Sequence, residues 1–281
     1  MIQGVFCDID GTLLTRQGTI RRSTRKALQE VQAQGIVFGV ATGRAPFQIS
    51  RVLKGLPVDV TISYNGSLVY EGDECIYERH FSQVAIQQMT DFFDAENRQA
   101  IFCSKTTQQG SFTIRFGHLY YIAKLLTFLP EWLPTHTLRY LLQKWSPNRR
   151  KNRYHQLSIL KQPIFQCVLF CSERETDYIK EKLPACDILR SNRFSVDIVP
   201  KGANKKVGLE KYAATRQMAL TNLMVFGDQQ NDEGMIQAAG IGVAMGNAQP
   251  EVKGVADYIT NSHQKDGIRQ ALEHYRILPT R

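Results

Sequence analysis

Two periods alternate along this chain. Short apolar, β-prone runs cover 4–8, 36–41 and 60–63. Between the first two, Ala27, Leu28 and Val31 fall at the spacing of one helix face. The pattern predicts three strands there, with a helix over 23–34 opened by Ser23 as N-cap and stopped at Gly35. Pro46 suits the first position of a further helix. A hairpin is predicted over 67–81, turning at Glu71-Gly72-Asp73-Glu74. Strands alternating with helices point to an α/β fold with a parallel sheet.

The pattern changes between 82 and 190. Strand-like runs at 100–103, 111–116, 156–160 and 165–171 sit among helical stretches near 84–96, 120–129 and 173–183. This predicts a separate α+β module. Alternation resumes with a strand over 194–199, a helix over 205–214, a strand over 222–226 and a helix over 232–239. The expected organisation is a core of 1–81 and 191–281 and an inserted domain of 82–190.

Composition narrows the class. In 281 residues, 43% are hydrophobic, enough for a sizeable core. No apolar run reaches the length of a bilayer span, and Met1-Ile2-Gln3-Gly4-Val5 leads straight into a strand pattern, so a cytoplasmic protein is expected. Cys7, Cys75, Cys103, Cys167, Cys171 and Cys186 are scattered. Cys167 and Cys171 share one strand run, with no second pair or spaced histidines beside them, so they read as free thiols in the core. The six histidines, His80, His118, His136, His155, His263 and His274, show no metal spacing and read as surface or packing residues. A net charge of +9 suits anionic partners. No nucleic-acid module is recognisable, which favours small anionic substrates.

Val5-Phe6-Cys7-Asp8-Ile9-Asp10-Gly11-Thr12 concentrates the chemistry. Asp8 and Asp10 lie two apart at the end of a strand, so both can face the same way, and Gly11 lets the chain turn off. Two such carboxylates repel unless a cation or a shared proton separates them. A hard ion such as Mg²⁺ suits an all-oxygen site. The plainer alternative is a strand running into an Asx turn.

The segment resembles the first motif of the haloacid dehalogenase superfamily, and further pieces follow in that family's order. Val37-Phe38-Gly39-Val40-Ala41-Thr42-Gly43-Arg44 resembles the second motif and Pro200-Lys201-Gly202-Ala203-Asn204-Lys205 the third. Val225-Phe226-Gly227-Asp228-Gln229-Gln230-Asn231-Asp232 resembles the fourth. Ser63-Tyr64-Asn65-Gly66 and the run over 240–248 are similar to signatures of its Cof-like subclass, IIB. Taken singly, these residues have duller uses as strand-to-helix turns, helix caps or a solvated lysine cluster. Their joint occurrence in order sets those uses aside.

The resemblance implies a Rossmann-like core with an inserted, mobile α+β cap. It implies Mg²⁺-dependent hydrolysis of small phosphate monoesters, either sugar phosphates or phosphorylated cofactors. Asp8 would be the nucleophile, forming an aspartyl-phosphate. Asp10 would protonate the leaving alkoxide and then activate water. The metal would take Asp8, Asp10 through its carbonyl, Asp228, and Asp232 directly or through water. Lys205, chosen over Lys206 on the family pattern, would hold the phosphoryl group and Asp8. Thr42, the N–H of Gly43 and Asn231 would bind phosphate, with Arg44 and Asn65 near the substrate. Haloacid dehalogenases lack an acid at the position of Asp10, because halide leaves unprotonated, so its presence favours phosphoryl chemistry. A phosphotransferase or phosphomutase of the same fold, or a non-catalytic phosphosugar sensor, stands as the alternative.

Within the insertion, 116–154 is rich in aromatic and basic residues, among them Tyr120, Tyr121, Trp132, Tyr140, Trp145, Arg149, Arg150, Lys151 and Arg153. Such a segment fits a packed cap with a solvated basic loop, a surface that selects the substrate's leaving group, or a membrane-surface contact.

Overall fold

The computed structural model describes residues 1–110, 153–192 and 194–280. The chain divides into two compact units, Met1–Arg79 with Ala203–Arg281, and His80–Gly202.

The first unit opens with β1 (Gly4–Cys7), α1 (Arg22–Ala33), β2 (Val37–Ala41), α2 (Pro46–Leu53) and β3 (Val60–Ser63). A 3-10 turn, Tyr64–Gly66, leads into a hairpin of β4 (Leu68–Glu71) and β5 (Glu74–Glu78). The second unit carries α3 (Gln83–Ala95), β6 (Ala100–Cys103), β7 (Gln108–Gly110), β8 (Gln166–Phe170), α4 (Thr176–Lys182), β9 (Cys186–Asn192) and β10 (Ser195–Pro200). The chain then returns to the first unit with α5 (Lys205–Thr215), β11 (Leu223–Gly227), α6 (Glu233–Ala238), β12 (Ile241–Ala244), α7 (Pro250–Val255), β13 (Tyr258–Ile259) and α8 (Gly267–His274).

The first unit's sheet runs β13-β12-β11-β1-β2-β3-β4-β5. The strands from β13 to β3 are parallel, and the hairpin adds two antiparallel strands at one edge. Strand alternation distributes the core over both faces. Val5, Cys7, Phe38, Val40, Met224 and Phe226 pack with Leu28 of α1, Ile49 of α2 and Leu272 of α8. Phe6, Ile62, Leu223 and Val225 pack with Leu209 and Tyr212 of α5, Ile236 of α6 and Val252 of α7. β1 therefore lies where the winding reverses: the chain proceeds from it to β2 and β3 on one side and returns to β11, β12 and β13 on the other. In such sheets the crevice beyond the strand ends at this switch point is where ligands bind.

Among the described residues the second unit holds a five-stranded sheet, β7-β6-β8-β10-β9, antiparallel at every pairing. Met89 and Phe93 of α3 and Ile179 of α4 pack against Phe102, Leu169, Val196 and Ile198. Two expectations are corrected here. The strand expected over 194–199 to extend the core sheet is β10, paired with β8 and β9, so 191–202, like 80–81, falls in the second unit. Its alternation satisfies either sheet, and the choice of partner is a nonlocal property that periodicity does not carry. The run at 156–160 is no strand: Ser158–Lys161 forms a 3-10 turn. There the Gln109 side chain, 50 positions away, accepts from the Ile159 N–H at 3.1 Å and so satisfies a donor that a strand would pair across a ladder. The strand expected over 111–116 and the helix over 120–129 lie outside the described residues.

Ser23 does not cap α1. The helix begins after Arg21, and the Ser23 hydroxyl donates to Asp266 instead. Gly35 does follow the helix in a left-handed conformation, φ +77°. All six cysteines are free, with Cys75 exposed and the other five buried. Among the described residues no helix is long and apolar enough to cross a membrane.

Candidate active site

The site forms at the carboxyl ends of β1, β2 and β11. Asp8 follows β1 directly, with its N–H donating to Phe226 O at 3.0 Å, so the last rung of the β1–β11 ladder fixes its backbone. Asp228 follows β11 directly. Lys205 opens α5, whose N-cap Asn204 accepts from the Val207 N–H at 2.9 Å.

Lys205 Nζ donates to Asp8 Oδ1 and to Asp232 Oδ1, each at 2.6 Å, and its side chain is 1% exposed. Lys206, the neighbouring candidate, is half exposed and faces Glu210. Asp232 is wholly buried. Its other oxygen accepts from the N–H groups of Asp228 and Gln229 at 2.9 and 3.0 Å, which shapes the loop after β11. Oxygens of Asp8, Asp228 and Asp232 lie within 4.8 Å of one another.

Burial sets the electrostatics. It pushes the Asp8 carboxyl well above its usual range; Lys205 opposes this, while Asp232, Asp228 and Asp10 add to it. Asp228 rises to about 7, again first through burial and then through Asp232, although the hydrogen bond from Thr12 holds it down in part. Burial works against the Lys205 ammonium, but Asp232 and Asp8 overcome it and raise its pKa. One lysine facing three carboxylates leaves the cluster short of positive charge. A small divalent cation with a preference for oxygen fits both the deficit and the donor set.

Asp10 stands apart from this cluster. Its side chain is half exposed and holds the Arg44 guanidinium in a fork, with both contacts at 2.6 Å. Arg44 is thereby placed on Asp10, and its own N–H donates to Thr42 Oγ1 at 3.1 Å. Thr42 is buried at the end of β2, and Gly43 beside it is partly exposed. Asn231 donates from Nδ2 to Oδ1 of the fully buried Asn65 at 2.9 Å. The residues expected at the site thus fall into three groups: Asp8, Lys205, Asp228 and Asp232; Asp10 with Arg44 near Thr42; and Asn231 with Asn65.

Two contributors, Thr12 and Asn247, carried no signal beyond their place in a motif. Thr12 Oγ1 donates to Asp228 Oδ1 at 2.9 Å. Asn247 Nδ2 donates to Gly11 O at 2.9 Å and approaches Asp228 Oδ2 at 3.4 Å. Asn247 Oδ1 in turn accepts from the His263 N–H at 3.0 Å, with the His263 ring Nδ1 at 2.6 Å. Gly11 permits this crowding: at φ +88°, a Cβ there would lie 2.2 Å from Asp228 Oδ2.

A doubly wound parallel sheet thus presents, at its switch point, a buried carboxylate beside a buried lysine and further acids. The family follows from comparison. The model of the haloacid dehalogenase-like hydrolases matches residues 5–272, and the chain belongs to that family. It is 32% identical to the putative phosphatase YkrA of Bacillus subtilis (strain 168), over 98% of either chain. It is 27% identical to the 5-amino-6-(5-phospho-D-ribitylamino)uracil phosphatase YcsE of the same organism, over 98% of this chain and 96% of that one. Among solved structures it is similar to the subclass IIB sugar phosphatase BT4131, with a TM-score of 0.76 and 26% identity over 98% of this chain and all of the other.

Proposed function

We propose that this chain hydrolyses small phosphate monoesters in two displacements at phosphorus, with Asp8 as nucleophile and a divalent cation, Mg²⁺, as cofactor. The observation that carries this is Asp8 itself: buried at the switch point and bonded to a lysine that also holds Asp232. A phosphate monoester resists attack because its anionic oxygens repel a nucleophile, so a site must supply positive charge, an attacking atom and a proton for the leaving group.

In the first displacement an Asp8 oxygen bonds to phosphorus, the ester P–O bond breaks, and the leaving alkoxide takes a proton from Asp10. A protonated Asp10 cannot keep both contacts to Arg44, so the fork opens for this step. In the second displacement Asp10 takes a proton from water, the water oxygen bonds to phosphorus, and the bond to Asp8 breaks to release phosphate. Lys205 holds Asp8 throughout, while Thr42, Gly43 and Asn231 supply donors to the phosphoryl oxygens. Asp8, Asp228, the Asp10 carbonyl and Asp232 would hold the cation. When bound, it offsets the charge of Asp8 and of the phosphoryl group.

These groups recognise phosphate alone, so discrimination among leaving groups falls to the inserted unit, which we assign as the cap. The substrates would be sugar phosphates or phosphorylated cofactors; the names of BT4131, a sugar phosphatase, and of YcsE, which acts on a phosphorylated ribitylamino compound, support the first. Six free cysteines suit the reducing cytoplasm.

Metal removal tests the reading. Protein stripped with EDTA should not hydrolyse p-nitrophenyl phosphate. Mg²⁺ should restore turnover, and Ca²⁺, with its larger and looser shell, should restore little. Full activity in metal-free buffer would overturn it.

A further inference from the structure

The turn at Tyr64–Gly66 joins the loops of the site. Three successive residues are left-handed, with φ of 50° at Tyr64, 53° at Asn65 and 90° at Gly66. Such a conformation costs about 1 kcal/mol or more at a residue other than glycine, least at Asn and Asp, so the surroundings must hold it. The Tyr64 N–H donates to Arg44 O at 3.2 Å and the Asn65 N–H to Thr42 O at 3.0 Å. The Asn65 side chain, with no exposed surface, accepts from Asn231. A fully enclosed side chain is badly placed to touch substrate, so the expected role of Asn65 near the substrate needs another form.

A carboxamide turned through half a rotation exchanges its N–H donors for its oxygen. For an anionic ligand the two orientations are opposites, since one attracts a phosphoryl oxygen and the other repels it. Asn231 has this ambiguity, and in the structure it is set one way: its Nδ2 donates to Asn65 Oδ1, so the orientation of the Asn65 amide dictates that of Asn231. We infer that Asn65 is a positioning residue for phosphoryl binding, fixing the amide orientation of Asn231 without touching substrate. This rests on the proposed role of Asn231 as a phosphate donor. The left-handed backbone explains the residue type: Asn tolerates φ near 53° and carries an acceptor at the required reach.

The test is the cost of Asn231→Ala, read as kcat/KM for p-nitrophenyl phosphate with Mg²⁺, in three backgrounds. Asn65→Gly removes the acceptor and adopts the same φ without strain. Asn65→Asp keeps an acceptor, and its added charge acts whether or not Asn231 is present. The expected cost is about tenfold in the unaltered and Asn65→Asp backgrounds, as for one hydrogen bond to a charged group, and under about threefold in Asn65→Gly. Inhibition by inorganic phosphate should follow the same order, which a purely structural role would not produce. If the Asn65→Gly chain fails to fold, Asn65→Ser, whose hydroxyl is one bond short, takes its place. An undiminished cost in the Asn65→Gly background would overturn the inference. So would a negligible cost of Asn231→Ala in the otherwise unaltered enzyme, although turnover there would leave the phosphatase reading standing. Failure of the unaltered enzyme to turn over would overturn both.

Discussion

Asp228 shows how a single residue ties the proposed cation site to stability. Its carboxyl moves from 3.8 to about 7 on folding. The folded state therefore binds a proton that the unfolded state releases between those values. Stability falls as pH rises from about 4 to about 7, because above that window the buried group must ionise at a cost. Metal-free protein should lose about 5 °C in Tm between pH 5 and pH 8. Mg²⁺ should raise Tm more at pH 8 than at pH 5, because a ligand must be deprotonated to bind. Calorimetry checks both, and Asp228→Asn should flatten the slope. An unchanged slope in that variant would show that other groups set it. At this scale Asp8, Lys205, Asp228 and Asp232 were legible because each sits in a run of recognisable pattern. Thr12 and Asn247 were not, since what marks them is a hydrogen bond to Asp228 across 216 and 19 positions, and no local pattern encodes such a bond.

At the scale of elements, the junction of the Tyr64–Gly66 turn with the start of α5 places the lysine. A Cβ on Gly66 would stand 1.9 Å from Asn204 O and 3.1 Å from Lys205 N, and neither backbone atom is free to yield. Gly66→Ala should cost about 3 kcal/mol, from the clash together with the positive φ, and should reduce activity by shifting Lys205. A Cβ on Gly254, inside α7, would meet nothing within 4 Å. Gly254→Ala should be neutral or stabilise by up to about 1 kcal/mol. Chemical denaturation compares the two, and equal effects would refute the packing argument. In the first unit β1 to β5, α1, α2, α5, β11 and α6 were legible from apolar runs and helical spacing, with β1 and β11 apolar on both faces as strands inside a parallel sheet are. β12, α7, β13 and α8 were not expected as elements. The assignment of β10 failed for another reason: its alternation is plain and says nothing about which sheet receives it.

At the scale of the molecule, the order of motifs along the chain revealed a core interrupted by an insertion, and the structure moved the insertion's limits to 80 and 202. It also places one basic residue of the insertion. Arg153, grouped with Arg149 and Arg150 as a candidate substrate reader, is buried. It donates to Arg98 O, pairs with Asp94 at 3.9 Å and lies 4.7 Å from the centre of the Tyr154 ring. Arg153→Ala should therefore cost stability, about 2–4 kcal/mol, by leaving Asp94 and a buried carbonyl without this partner. Arg149 and Arg150 lie outside the described residues. If they select the leaving group, replacing both with Ala should lower kcat/KM for sugar phosphates at least about tenfold while sparing p-nitrophenyl phosphate. Equal effects on the two substrates would remove them from recognition.

The central claim is that phosphorus is transferred twice, first to Asp8 and then to water. The stereochemical course of hydrolysis tests this without requiring the intermediate to accumulate. A phosphorothioate monoester made chiral at phosphorus with two oxygen isotopes would be hydrolysed in water of the third, and the configuration of the released thiophosphate determined. Two in-line displacements, each inverting, should give overall retention. Inversion would mean that water attacks the substrate directly, and would contradict the assignment of Asp8 as nucleophile.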